Sequence, residues 1–145
     1  MKSSYFDLKE LVCPDVYRRF GERAWIFLDE KLLDTLAVLR EKIFDRPIVV
    51  NTWAAGGAFT QRGLRCNLCP LVREKSAADV PYLSAHNLGK AVDFDVPGLS
   101  AETVRETIVK NQILLPHPIR LEKGTSWVHL DVYDEGKGSI CFFAG

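Results

Sequence analysis

Apolar residues recur at helical spacing most clearly in FLDEKLLDTLAVLREKIF, where Leu28, Leu32, Leu36, Leu39 and Ile43 share one stripe and Leu33 lies at its edge. Acidic residues crowd the first turn, where the helix dipole favours them. Pro47 follows, and IVVN after it reads as a short buried strand. Upstream, residues 5–24 read as partly helical, with Ser4 placed to cap and Asp7 three residues on. Downstream, VDFDV alternates as a strand and stops at Pro97-Gly98. Ser100 is placed to cap a helix running to about Asn111. IRLE and WVHLDVY read as strands around KGTS, and SICFF as a last strand. Between the two halves, residues 53–83 carry three glycines and two prolines without a sustained period, the mark of a long functional or mobile loop. Helices first and mostly strands afterwards predict an α+β fold: one small antiparallel sheet with helices packed on it.

A length of 145 residues suits one domain spanning 1–145 with a real hydrophobic core. Nineteen Lys and Arg balance nineteen Asp and Glu, so charge offers no argument for nucleic acid or a membrane surface as partner. No apolar run approaches the roughly 18 residues of a membrane span. The opening MKSSYFDLKE has an early lysine but no apolar stretch behind it, so the expectation is a chain made in the cytoplasm without a signal peptide. Of the four cysteines, Cys66 and Cys69 form a C-x-x-C that could join Cys13 and Cys141 around a metal. With no second C-x-x-C, reduced and separate thiols are the expectation.

Alternation also places the chemistry. In WVHLDVY, Trp127, His129, Asp131 and Tyr133 share one face, and Val128, Leu130 and Val132 the other. In VDFDV, Asp93 and Asp95 project opposite to Val92, Phe94 and Val96. His86, from the preceding loop, adds a second imidazole, and Gly89 lets the chain turn sharply between them. Two imidazoles and a carboxylate are a common set for a catalytic zinc ion, Zn2+, with the fourth position left to water. A histidine beside a tryptophan also packs or hydrogen-bonds with no metal nearby, and spacing alone leaves both readings standing.

Ser84-x-His86-x-x-Gly89-x-Ala91-x-Asp93 followed by Trp127-x-His129 resembles the motif pair of the zinc D-alanyl-D-alanine peptidases. That family includes phage L-alanyl-D-glutamate endolysins and is related in fold to the hedgehog signalling domain. The resemblance is strong in the two motifs and loose elsewhere across residues 28–133. It implies His86, Asp93 and His129 as ligands of Zn2+, and a peptidoglycan stem peptide as substrate. Arg62 or Arg65 would then hold a substrate carboxylate, with the Ser84 hydroxyl near the scissile group. It also implies a chain acting on the cell wall after release, or associated with phage virion proteins.

One position departs from the family pattern. An acidic residue commonly stands three residues before the last histidine, and here that residue is Ser126, which cannot serve as a base. Pairing IRLE with WVHLDVY across a Gly124-Thr125 turn sets Glu122 opposite Trp127, Arg120 opposite His129, and Glu122 diagonal to His129 on one face. Glu122 is therefore the candidate base. Asp131 competes for that role but more naturally orients His129 from behind. Two functions follow: a zinc peptidase of the D-Ala-D-Ala type, or a non-catalytic module that keeps the fold and the metal.

Overall fold

The computed structural model describes residues 2–145. Helix starts follow side-chain caps. Asp7 accepts from the Lys9 N–H while Glu10 accepts from the Asp7 N–H, a reciprocal box that opens α1 (Leu8–Leu11). Ser4 is therefore not the cap; Ser3 accepts from the N–H groups of Tyr5 and Phe6 instead. Pro14 opens α2 (Pro14–Phe20), where its missing N–H costs nothing. A 3-10 stretch, Gly21–Phe27, leads to Asp29, which caps α3 (Glu30–Val38). The leucine stripe is buried as expected, and the helix ends in a wider π turn over Leu39–Ile43.

IVVN packs into the core but makes only one bridge, Val49 with Asp95, rather than a strand. The irregular segment holds a 3-10 turn, Trp53–Ala55, and a short helix that periodicity did not reveal, α4 (Pro70–Ser76). Ser100 caps α5 (Ala101–Lys110), as its position predicts.

Four strands form the sheet: β1 (Ala91–Phe94), β2 (Ile119–Lys123), β3 (Val128–Asp131) and β4 (Ile140–Ala144), in the order β1-β3-β2-β4. The pairs β1–β3 and β2–β3 are antiparallel, but β4 runs parallel to β2. The sheet is thus mixed, and the expectation of a purely antiparallel one is corrected. The cause is the connection after β3. It passes the end of β2 before turning back, with Gly136 and Gly138 at positive φ, and so lays β4 on the far side of β2.

One sheet face carries Val92, Phe94, Val128, Leu130, Ile119 and Leu121, which join the helical leucines in a single apolar core. The opposite face carries Asp93, His129, Asp131 and Arg120, so the alternation read from the strands holds. Together these elements make one α+β domain.

The β2–β3 register differs from the expected one by two residues. Arg120 pairs with Asp131 and Leu121 with Leu130, and the same register sets Glu122 across from His129. The turn is longer than two residues because the buried Arg105 of α5 donates to the carbonyls of Thr125 and Trp127 and holds the loop open. A slip of two keeps every side chain on its predicted face.

Gly89 sits at φ +69°, and a Cβ there would collide with the carbonyl oxygen of Phe27. Gly124, at φ +79°, has open space around it. Gly89→Ala should therefore destabilise the protein by about 3 kcal/mol, and Gly124→Ala by about 1 kcal/mol. Urea unfolding of the two variants checks the order, and equal midpoints would show that the Phe27 contact is unimportant.

Candidate metal centre

A tight turn presents His86. The Ser84 carbonyl and hydroxyl both accept from the Asn87 N–H, at 3.1 and 3.3 Å, and the Ser84 hydroxyl donates to Asn87 Oδ1. The Lys90 N–H closes the turn onto the Ala85 carbonyl. His86 Nδ1 lies 2.9 Å from the Gly63 carbonyl oxygen. A carbonyl only accepts, so Nδ1 carries the hydrogen and Nε2 keeps its lone pair. That lone pair faces Asp93 Oδ1 at 3.3 Å.

Asp93 and His129 are direct cross-strand partners on β1 and β3. Asp93 Oδ1 is 3.0 Å from His129 Nδ1, and its other oxygen takes the guanidinium of Arg65 at 3.1 Å. His129 Nε2 meets Asp131 Oδ2 at 2.9 Å. Asp131 is fully buried and held by two hydrogen bonds from Arg120, at 2.9 and 2.8 Å. One ligand atom from each of His86, Asp93 and His129 thus lies within 4.8 Å of the others, and all three residues are buried.

Electrostatics follow from these contacts. Burial opposes the Asp93 charge, but the hydrogen bond from His129 and the adjacent His86 imidazole hold its carboxyl far below the ordinary range. Burial likewise opposes a charge on His129, yet Asp131 and Asp93 outweigh it and push its pKa up to about 9. The donor set suits a divalent ion such as Zn2+, with two imidazole nitrogens and a carboxylate oxygen. Each imidazole has its second nitrogen engaged, by Gly63 or by Asp131, as ligating histidines usually do.

The other expected site residues divide. Arg62 and Arg65 both line a cleft with Phe59, Leu71, Asp93 and Trp127. Arg62 pairs with Asp95 at 2.8 Å and stacks on Phe59, while Arg65 is tied to Asp93. Ser84 stabilises the His86 turn. Asp131 holds His129 from behind, as its spacing suggested. Glu122 lies across from His129, but its carboxylate rests against the backbone of Gly145. Ser126 lines a separate cavity beside α5, with Ser100 and Arg105, that none of the three ligands reaches. His117 pairs with Asp34.

Three contributors escaped the sequence reading. Arg120 locks Asp131, and the Phe143 ring stands edge-on to His129 at 5.5 Å. Gly63 offers a backbone carbonyl, which leaves no side-chain signal to find. The cysteines also depart from expectation: Cys13, Cys66 and Cys69 converge, and Cys141 alone stands apart.

His129 gains its proton-holding partners only on folding. Its contribution to stability is complete below its ordinary value of 6.5 and is lost as pH rises through about 9. Chelator-treated protein should therefore melt at falling temperature across that interval, and His129→Gln should flatten the fall. Thermal melts over the range measure it; parallel curves for the two proteins contradict the assignment.

Comparison of the chain with protein-family models, with curated proteins and with solved structures yields no match.

Proposed function

We propose that this chain is a zinc metallopeptidase that hydrolyses a D-amino-acid-containing peptide bond in bacterial peptidoglycan stem peptides, built on the D-alanyl-D-alanine peptidase and hedgehog type of fold. The observation that carries this reading is the convergence of His86, Asp93 and His129 ligand atoms within 4.8 Å of one another. They do so within the motif pair that resembles that family. His86, Asp93 and His129 would hold Zn2+, which when bound lowers the pKa of a water and polarises a carbonyl.

The chain's own residues supply the rest. Asp131 and Gly63 keep the two imidazoles aimed, so little reorganisation accompanies binding. Arg62 and Arg65 line the cleft beside Asp93, where a guanidinium suits the carboxylate of an acidic peptide. Glu122 takes the proton from the attacking water and returns it to the leaving amine. That role requires its carboxylate to rotate from Gly145 towards His129. A phage-encoded protein, made in the cytoplasm and acting on the cell wall after release or from a virion, is the setting we favour.

A second reading is a non-catalytic binding or virion module with the same fold. Two observations favour it: Ser126 occupies the family's acidic position, and the Glu122 carboxylate lies against Gly145.

Zinc bound at this site, at about a hundred times its Kd, should contribute about 2.7 kcal/mol to the stability of chelator-stripped protein, and His86→Ala should lower the total zinc-induced gain by about that share. Calorimetric melts with and without zinc test it; an equal gain in the variant places the ion elsewhere. Zinc-loaded protein should cleave muropeptides, and chelator should stop it. Glu122→Gln should cut kcat about 10²–10⁴-fold while leaving the zinc content unchanged. If fully zinc-loaded wild type leaves muropeptides intact, the module reading replaces the enzyme.

A further inference from the structure

Cys66 and Cys69 shape a tight turn at the end of the glycine-containing loop. The Cys69 N–H donates to the Cys66 carbonyl at 3.1 Å, and the Leu68 N–H to Cys66 Sγ at 3.4 Å. The second bond supports negative charge on that sulfur. Cys69 then precedes α4, and Cys13 precedes α2. A parallel bridge brings the two segments together, with Leu64 donating to the Leu11 carbonyl and Cys13 to the Leu64 carbonyl.

The result is three sulfur atoms within 4.8 Å of one another, with Cys13 Sγ and Cys66 Sγ 3.6 Å apart. Zinc–sulfur bonds of about 2.3 Å in a tetrahedron separate neighbouring sulfurs by about 3.8 Å. A disulfide needs about 2.05 Å. The spacing matches a shared ion better than a covalent bond. Cys13 and Cys69 are buried and Cys66 is half-buried, beside a cavity lined by Phe20, Phe27, Asn67 and Asn87. Hydrogen bonding from Cys69, against the effect of burial, lowers the Cys13 thiol to about 6, while Cys69 is pushed up.

We propose that Cys13, Cys66 and Cys69 form a second metal site, a three-thiolate clamp for a thiophilic divalent ion of the zinc type. Each thiol gives up its proton to solvent as its sulfur takes the ion. Among the described residues no fourth His, Cys, Asp or Glu joins the group, so water from the cavity beside Cys66 completes the tetrahedron. The clamp ties the segment 63–69 to the chain before α2. That segment supplies the Gly63 carbonyl to His86 and the Arg65 guanidinium to Asp93, so the ion at the cysteines steadies the partners of the His–Asp–His group. The proposal holds whether or not the chain is a peptidase.

The test uses reduced, chelator-stripped full-length protein titrated with Co2+. A sulfur-to-cobalt charge-transfer absorption in the near ultraviolet should grow to saturation, and the His–Asp–His group cannot produce it. The band should lose at least about a third of its intensity in Cys13→Ser and in Cys66→Ser, each of which removes one of three thiolates, and persist unchanged in Cys141→Ser. Wild-type protein gives a check that needs no variant: with Zn2+ only Cys141 should react quickly with a thiol reagent, and after chelation the half-buried Cys66 should join it. Absence of the band, an undiminished band in both clamp variants, or a fast Cys66 thiol in the presence of zinc would overturn the clamp. So would a Cys13–Cys66 disulfide in protein purified under reducing conditions.

Discussion

Two imidazole nitrogens point at one carboxylate oxygen, in a pocket that excludes most water. Three electron-rich atoms so close repel one another unless a proton or a metal ion lies between them. The sheet enforces the encounter, because Asp93 and His129 are direct partners on neighbouring strands. The rest of the polar face is arranged around that constraint. Arg65 balances the far oxygen of Asp93, and Arg120 balances Asp131. With those pairs in place, an added cation leaves the pocket positive.

The loop before α4 links this face to the remainder of the chain. Its Arg62 carbonyl accepts from the Asp93 N–H along the free edge of β1, so the loop completes a strand edge that would otherwise lack a partner. Asn51, buried, donates to the Val12 carbonyl and accepts from the Arg62 N–H, fastening the same loop from its other side. A segment without regular structure is thus fixed by specific polar contacts, and the cysteine group lies at its end. The proposed thiolate clamp and the proposed catalytic ion share this one support.

Much of this was legible in the chain. Strand alternation placed His129, Asp131 and Asp93 on one face, and side-chain parity survives the two-residue slip in the hairpin. The cap at Ser100 and the leucine stripe of α3 were equally local, and therefore readable. What escaped was non-local. The path of β4 around the end of β2 depends on a connection without a regular pattern. The hairpin register depends on Arg105, about twenty residues away in sequence. Glu122 fell on the expected face, but its rotamer depends on the neighbouring Gly145, which no spacing rule predicts. The cysteine convergence needed the Val12–Leu64 bridge, which pairs residues more than fifty positions apart.

Anomalous diffraction at the zinc edge, from crystals grown with zinc, addresses the central claim most directly. The account predicts a peak within bonding distance of His86 Nε2, Asp93 Oδ1 and His129 Nδ1 at once. A zinc-containing crystal with no peak there, and with the His129 ring still bridging Asp93 and Asp131, would contradict it.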